Sequence, residues 1–384
     1  MKKILFMHGG GPTAVINASL AGSLMELKQR GIKGGILASR FGTGGLLNKD
    51  IIEIPELSDD DLYRLSRTPG SAIGTGRDHL ESEDYERLAD NLEELGVGFV
   101  VLTGGNGTMD TARKLAKCCK ERGIIVTGTP KTMDNDLSLT DHSPGFPSAA
   151  RYLAGSVREA CQDVRSLPIH IVVIEAFGRD AGWVAASSAL AKSKENRGPE
   201  MILLPEVAFD EDKFLDRAES LFKRNGGFVI VASEGLRYKS GKPIVEPVFQ
   251  VGRSTYFGDV SSHLALLITR KLGIKSRSEK PGILGRSSIM WQSELDRKEA
   301  IEAGRLSVIC ALEGKSGYMS IIKRESSNPY SSTVLAHEIS DEILQARVMP
   351  DEYIDNDGFG VTDAFLEYAK PLVGEDLGTF KSFV

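Results

Sequence analysis

Residues 130–136, PKTMDND, combine a cation, a hydroxyl group and two carboxylates in one short segment. Transfer of a phosphoryl group requires that the acceptor hydroxyl loses its proton and that the charge on the moving group is neutralised. Asp134 is the candidate base, and Thr132 and Lys131 are candidate donors to the phosphoryl group. Asp136 is a candidate magnesium ligand. Aspartate and asparagine also favour turns, and the segment taken alone is more typical of a turn than of a catalytic site.

Three glycine-rich segments could bind the phosphates of a donor. Residues 8–13 and 103–108 each follow a predicted strand, and residues 69–77 form a loop that ends in Arg77. The backbone at glycine can approach an anion closely, and a helix N-terminus attracts one. Glycines also serve tight turns between strands and helices, and residues 8–13 taken alone are equally consistent with that role.

The segments that carry these residues alternate between apolar strands and helices. Strands are predicted at residues 3–7, 36–38, 99–102, 124–126, 170–174 and 228–232, and helices at 14–30, 109–122, 148–164, 182–191 and 263–272. Continuous apolar strands are typical of parallel sheets covered on both faces. We therefore predict an α/β fold with two Rossmann-like lobes. Each lobe is a mostly parallel sheet flanked by helices, and the active site lies in the cleft between them.

The length of the chain favours two domains. Residues 1–146 are predicted to form a donor-binding lobe, completed by a segment near residues 288–325. Residues 147–287 form a sugar-phosphate lobe, in which residues 282–288 are predicted as a strand and loop. Residues 326–384 form a C-terminal extension that packs on the two lobes.

Composition excludes several classes of protein. The net charge of −6 argues against nucleic acid or an anionic membrane as the main partner. No apolar run approaches the length of a membrane span. The four cysteines lack the spacing of a disulfide framework or a zinc site, which fits a reduced, cytoplasmic compartment.

The motifs resemble, in type and order, those of the phosphofructokinase family, in the form that carries PKTxDND rather than PGTxDND. They span nearly the whole chain and include GSAIGTGR, TGGNGT, PKTMDNDLSLTDHSPGF, EAFGRDAGW, SEG, the ILG loop and the MPDEYI…VTDAFL tail. The resemblance implies Mg²⁺-dependent phosphoryl transfer from ATP or pyrophosphate to the 1-hydroxyl of fructose 6-phosphate, as in glycolysis. It also implies subunits that share the acceptor site, and hence a homodimer or homotetramer.

The resemblance also implies residue roles. Asp134 would be the catalytic base, with Thr132 and Arg179 stabilising the transferred group. Sugar hydroxyls would contact Glu234 and the backbone of Phe177 and Gly178. The donor phosphates would be lined by Gly10, Gly11, Arg77, Gly104, Gly105, Gly107 and Thr108.

Two departures from the family pattern concern the metal and the donor. Asn106 stands where an acidic residue usually assists magnesium, so a metal site formed with Asp136 would carry less charge. Gly107 stands where pyrophosphate-using relatives tend to carry aspartate, and glycine leaves room for the α-phosphate of a nucleotide. Lys131 points towards pyrophosphate but also occurs with glycine in ATP-using branches. On balance the sequence favours ATP.

The remaining departures concern the acceptor. Phe177 replaces a usual methionine, and His170 stands where an arginine often reaches the sugar phosphate of a neighbouring subunit. In the ILG loop, the position where the family usually has an arginine for the 6-phosphate is Ile289 in this chain. Lys280 and Arg286 lie nearby and are candidate contacts for that phosphate. A rearranged pocket, another ketose phosphate, or a sugar without that phosphate would each account for these differences.

Alternatives from other classes fit fewer of the residues. A nucleotide-responsive regulatory protein would explain Asn106, but the intact Asp134, Thr132 and Arg179 argue against it. The GGNGT segment also resembles the diphosphate loop of NAD kinases and lipid kinases, which fit the DND and FGR motifs poorly. The GGGPT turn lacks the spacing of a dinucleotide-binding dehydrogenase.

Overall fold

The structure, a computed structural model, describes residues 2–194, 196–251, 254–374 and 377–383. The chain divides into two compact units. The first comprises Met1–Ser148 and Arg286–Arg347, and the second comprises Ala149–Gly285 and Val348–Val384. Residues 326–384 therefore do not form one extension, because their first part pairs with the sheet of the first unit and their last part belongs to the second unit. The assignment of one unit to the donor and the other to the sugar stays a prediction.

Strands and helices alternate through most of the described chain. The strands are β1 Lys3–His8, β2 Ile36–Ser39, β3 Ile51–Glu53, β4 Val97–Gly104, β5 Ile125–Pro130, β6 Ile171–Ala176, β7 Met201–Leu203, β8 Phe228–Ser233, β9 Pro247–Val251, β10 Ser254–Phe257, β11 Ser276–Glu279, β12 Tyr318–Ser327 and β13 Tyr330–Glu338. The α-helices are α1 Ile16–Gln29, α2 Thr43–Leu47, α3 Asp59–Leu65, α4 Ser82–Glu94, α5 Asn106–Cys119, α6 Phe146–Ser166, α7 Trp183–Ser187, α8 Glu211–Asn225, α9 Val260–Leu272, α10 Ile283–Ser287, α11 Glu294–Leu312 and α12 Asp363–Val373. Short 3₁₀ helices lie at Ser188–Ala191, Asp341–Leu344 and Asp351–Tyr353.

The sheet of the first unit has the order β13-β12-β5-β4-β1-β2-β3. Its pairs are parallel except at the two edges, where β13 and β3 run antiparallel to their neighbours. The register pairs His8 with Thr103 and Gly104 with Pro130, so β1, β4 and β5 end side by side. The segments that follow these strands are therefore neighbours, as is usual for ligand sites of parallel sheets.

The main sheet of the second unit, β11-β6-β8-β7, is parallel throughout. Its strands β6 and β8 are buried along their full length and pack in an apolar cluster with helices α8 and α9. The register pairs Ala176 with Ser233, which brings the segment after β6 next to the segment after β8.

The predicted α/β fold with two mostly parallel sheets flanked by helices is confirmed. Residues 282–288 contain helix α10 rather than the predicted strand. Hydrogen bonds from Leu284 N to Pro281 O and from Gly285 N to Gly282 O close this segment on itself, and β11 just before it takes the place beside β6. In the described residues, no helix combines the length and the hydropathy needed to cross a bilayer.

Candidate functional site

A cleft of about 300 Å³ opens in the first unit, where β1, β4 and residues 69–77 meet. Five of the seven predicted donor residues line it, namely Gly10, Arg77, Gly105, Gly107 and Thr108. Gly104 serves close packing instead, because a Cβ atom there would overlap the side chain of Thr108. Gly10 has a φ of +77°, a backbone conformation that favours glycine.

Helix α5 begins inside the glycine-rich segment rather than after it. Gly105 is its N-cap, and Asn106, Gly107 and Thr108 form its first turn, three residues before the predicted start. The first amide groups of a helix lack partners within the helix, and the dipole favours negative charge there. The cleft therefore has a helix N-terminus on one wall, which suits a phosphate group.

Lys131 is buried at the end of β5, with only 3% of its surface exposed. Its Nζ donates hydrogen bonds to the carbonyl oxygens of Gly9 (3.0 Å) and Gly11 (2.6 Å). Burial lowers the pKa of the ammonium to about 7, and the nearby Arg286 and Arg77 act in the same direction. The lysine thus places a titratable positive charge directly beneath the first glycine turn.

Arg77 and Arg286 approach the same turn. A Cβ atom added at Gly11 would lie 2.7 Å from Nη1 of Arg286 and 3.4 Å from Nη2 of Arg77. Burial and the charge of Arg77 lower the pKa of Arg286, whereas Asp134 opposes this shift. Nε of Arg286 is buried and, among the described residues, has no hydrogen-bond partner. The sequence grouped Arg286 with the sugar contacts, but the structure places it with Lys131 and Arg77.

The segment after Lys131 is a tight, hydrogen-bonded turn. The amide of Asp134 donates to Oγ1 of Thr132 at 3.1 Å. Asn135 follows with a φ of +56° and accepts a hydrogen bond from the amide of Ser143 at 3.0 Å. The turn is therefore present, and the catalytic role of Asp134 stays a prediction. The carboxylate of Asp134 favours the charged form of Lys131, which indicates that the two groups interact.

Asp136 and Asn106 lie side by side and could supply oxygen ligands to a metal ion. Nδ2 of Asn106 donates to Oδ2 of Asp136 at 3.1 Å. Oδ1 of each residue is buried and has no partner among the described residues, and burial raises the pKa of Asp136. No cluster of three or more His, Cys, Asp or Glu side chains in the described chain could hold a metal. The pair fits Mg²⁺, which is commonly held by one or two carboxylates together with phosphate oxygens and water.

In the second unit, the segments after β6 and β8 are tightly packed. Gly178 and Arg179 have φ values of +131° and +34°. A Cβ atom at Gly235 would overlap the carbonyl oxygen of Arg179, so this position requires glycine. Burial raises the pKa of the neighbouring Glu234, and Arg179 opposes the shift. The structure thus brings Gly178, Arg179 and Glu234 together, with a strained backbone at Arg179 of the kind found at functional sites.

Two predicted acceptor residues have other surroundings. Nζ of Lys280 lies 3.0 Å from Oε1 of Glu175 and also contacts Asp259, and these hydrogen bonds raise its pKa although burial opposes the shift. Its charge is therefore already balanced within the unit. His170 directly precedes β6, whereas Phe177 follows it, so the strand separates them by roughly 23 Å. Within its own unit, His170 does not join the cluster at Glu234.

The sequence did not reveal several residues that organise the site. His8 is buried, its Nδ1 lies 2.7 Å from Oγ of Ser71, and burial, with the charge of Lys131, lowers its pKa to about 3. The side chain of Asn17 holds the loop of Arg77, because its Nδ2 donates to Thr68 O and its Oδ1 accepts from the amide of Ala72. Asn17 lies in the apolar first half of α1, and such a polar residue among apolar neighbours was the available signal.

Comparisons with known proteins identify relatives of the whole chain. A model of the family described as "Phosphofructokinase" matches residues 3–310. The chain is 36% identical to the pyrophosphate–fructose 6-phosphate 1-phosphotransferase of Xanthomonas campestris pv. campestris, covering 96% of this chain and 91% of that protein. It is 29% identical to the sulfofructose kinase of Alkalicoccus urumqiensis, over 92% of each. The pyrophosphate-dependent phosphofructokinase of Nitrosospira multiformis superimposes with a TM-score of 0.89 at 35% identity, covering 100% of this chain and 95% of that one.

The preference for ATP that the sequence favoured was wrong. Further relatives, 34%, 35% and 32% identical, carry the same pyrophosphate-dependent name as the Xanthomonas protein. The prediction rested on the space beside Gly107. Among the described residues, apart from its two neighbours and the nearby backbone of its own helix, nothing lies within 4 Å of a Cβ atom added there, so the space is open. Open space admits a larger donor but adds no attraction for it, so this one position does not decide the donor.

Proposed function

The chain belongs to the phosphofructokinase family, and we propose that it transfers a phosphoryl group from pyrophosphate to the 1-hydroxyl of fructose 6-phosphate. One observation carries the proposal: Lys131, Arg77 and Arg286 converge on the glycine turn after β1, close to the carboxylate of Asp134. Three cations suit a compact, highly charged donor, because phosphates are bound chiefly by charge-assisted hydrogen bonds. The names of the full-length relatives support the same donor and acceptor.

In the proposed reaction, the 1-hydroxyl oxygen attacks the terminal phosphorus of pyrophosphate. A new P–O bond forms, the bridging P–O bond breaks, and inorganic phosphate leaves. Asp134 accepts the hydroxyl proton, while Thr132, Arg179 and the three cations stabilise charge on the transferred group. Lys131 would hold the glycine turn against the phosphates, because its Nζ bonds two carbonyl oxygens of that turn.

We propose that Mg²⁺ binds at Asp136 and Asn106. When bound, the ion would neutralise charge on the phosphate oxygens. Two buried, unpartnered Oδ1 atoms support this assignment among the described residues. One of the two ligands is neutral, so the protein would hold the ion loosely and depend on the phosphates to complete its coordination.

Replacing Asn106 with aspartate should tighten magnesium binding. The substitution adds a carboxylate beside Asp136, and the half-saturating Mg²⁺ concentration should fall by about tenfold. Asn106→Ala removes the oxygen ligand and should shift the same value upwards. Titration calorimetry with Mg²⁺ and a non-hydrolysable pyrophosphate analogue would measure both variants. Equal affinities in the two variants would rule out Asn106 as a ligand.

Replacing Glu234 with glutamine should weaken acceptor binding. A hydrogen bond to a charged group contributes roughly 1.5–3 kcal/mol, so KM for fructose 6-phosphate should rise by at least about tenfold. KM for pyrophosphate should stay constant, because Glu234 belongs to the proposed acceptor contacts. Glu246→Gln is the matched control, since Glu246 pairs with Lys242 at an exposed position of the same unit. A rise in KM for pyrophosphate alone would contradict the assignment.

A coupled assay that crosses two donors with several acceptors tests the proposal. Pyrophosphate and ATP are each combined with fructose 6-phosphate, other ketose phosphates, sulfofructose and unphosphorylated fructose. We expect the highest kcat/KM with pyrophosphate and fructose 6-phosphate. Turnover with pyrophosphate and a different acceptor would revise the acceptor and leave the proposed donor and reaction type in place. No turnover with any pair would refute the activity and favour a regulatory protein.

The setting of the reaction belongs to the same proposal. We place the enzyme in the cytoplasm and in glycolysis. All four cysteines are free, which suits a reducing compartment. A homodimer or homotetramer remains the expectation from the family, and sedimentation analysis of the purified chain would decide it.

A further inference from the structure

A buried ionic cluster lies beneath the loop that carries Asp134. His142 is fully buried, and both ring nitrogens face carboxylates. Nδ1 lies 2.8 Å from Oδ2 of Asp141, and Nε2 lies 2.6 Å from Oε2 of Glu299 on helix α11. A neutral imidazole can donate from only one nitrogen, so two carboxylate partners require the imidazolium.

The two carboxylates have further partners. Oε1 of Glu299 accepts hydrogen bonds from the hydroxyls of Tyr330 and Ser332, each at 2.6 Å, on strand β13. Asp141 accepts from the guanidinium of Arg324 on β12, with Nη2 at 3.0 Å from Oδ2. Every charge in the cluster is thus paired, which is the condition under which a buried ion pair is tolerated.

Two hydrogen bonds link the cluster to the segment that carries Asp134. The amide of Ser143, next to His142, donates to Oδ1 of Asn135, next to Asp134. The amide of Thr132 donates to the carbonyl of Pro144 at 3.2 Å. Residues 142–144 therefore form the layer on which residues 132–135 rest. No step of the proposed reaction uses His142, Asp141 or Glu299.

We propose that the imidazolium of His142, held between Asp141 and Glu299, is a positioning residue that orders the loop carrying Asp134. Loss of one donor would free residues 142–144 to shift, and Asn135 would shift with them. A base displaced by about 1 Å can cost about 10²-fold in rate. The effect on rate rests on the proposed function, whereas the ordering of the loop does not.

The pH dependence of the cluster has a defined sign. Burial alone would lower the pKa of His142, but Glu299 and Asp141 outweigh it and raise the pKa to about 9. The positioning contribution is therefore present at neutral pH and is lost as the pH rises through about 9. The charged and titratable groups around the imidazole are Asp141 on its own loop, Glu299 and Asp296 on α11, Arg324 on β12, Tyr330 on β13, and Arg347 after β13.

The test measures hydrogen–deuterium exchange of residues 132–136 in the full chain, together with steady-state kinetics. His142→Gln should speed exchange of this segment, with helix α8 of the second unit unchanged. It should also lower kcat by about 10²-fold, with KM for pyrophosphate unchanged. His79→Gln, an exposed histidine that pairs with Glu81 in the same unit, is the matched control. Wild-type exchange in folded His142→Gln would overturn the proposal, as would a wild-type kcat.

Two further variants keep the test valid if His142→Gln fails to fold. They also separate the ordering of the loop that carries Asp134 from the stability of the whole protein. The double variant His142→Gln/Glu299→Gln leaves no unpaired buried carboxylate on α11, so it should recover thermal stability but not kcat or slow exchange. Glu299→Gln alone should move the alkaline loss of kcat to a lower pH than in the wild type. Recovery of kcat in the double variant, or an unmoved pH profile in Glu299→Gln, would overturn the proposal. An inactive wild type would refute the proposed reaction, and exchange would still decide the ordering.

Discussion

Replacing Asp134 with asparagine should lower kcat by about 10³-fold, the scale of a lost general base. Asparagine has nearly the same shape and can keep the backbone turn, in which the amide of residue 134 donates to Oγ1 of Thr132. It cannot accept the proton of the acceptor hydroxyl. KM for fructose 6-phosphate should change little, because Asp134 acts chiefly in the transition state.

Two controls separate this result from a structural effect. A residue that only stabilised the turn would cost about 1 kcal/mol of stability when replaced and would leave the activity intact. Thermal unfolding of Asp134→Asn should therefore match the wild type. Binding of fructose 6-phosphate by calorimetry should persist in the variant. A kcat within about tenfold of the wild type would exclude Asp134 as the base.

Replacing Lys131 with methionine should lower kcat/KM for pyrophosphate by about 10²-fold or more. Removing one charged partner of a phosphate typically costs about 1.5–3 kcal/mol, and here the turn that presents the phosphate amides also loses two hydrogen bonds. Methionine fills the buried space with a side chain of similar length, so the fold should survive. KM for the acceptor should change less than KM for the donor. Equal changes in both would indicate a general loss of structure.

The charge of Lys131 also predicts a pH profile. Its pKa is lowered to about 7 in the free protein, so the charged form is present below that pH and is lost as the pH rises through it. kcat/KM reports the free enzyme, and kcat/KM for pyrophosphate should fall above about pH 7. A bound anionic donor favours the ammonium, so kcat should fall only at higher pH. Lys131→Met should abolish the decrease in kcat/KM near pH 7 but keep the decrease near pH 9 that belongs to His142. A decrease near pH 7 that persisted in the variant would belong to another group.

Apolar periodicity and glycine placement were sufficient to predict the architecture. Strands β1, β4, β5, β6 and β8 lie within a few residues of their predicted positions, because each is a largely apolar run that alternates with helical segments, as in a parallel sheet covered on both faces. The predicted start of α5 was late, since the glycines of residues 104–107 were taken for loop. The strand predicted within residues 282–288 was wrong for a related reason. A short apolar run can form either a strand or a turn of helix, and here local hydrogen bonds select the helix.

The sequence alone determined which residue types could perform the chemistry: Lys131, Thr132 and Asp134 after one strand and the glycines after two others. Their order along the chain does not depend on folding. Tertiary structure alone decided which of them meet, because parallel strands align ends that are far apart in sequence. Folding also brings Arg286 of helix α10 to Arg77 at Gly11, whereas β6 keeps His170 away from Glu234. The burial that lowers the pKa of Lys131 and pairs His142 with two carboxylates likewise exists only in the folded chain.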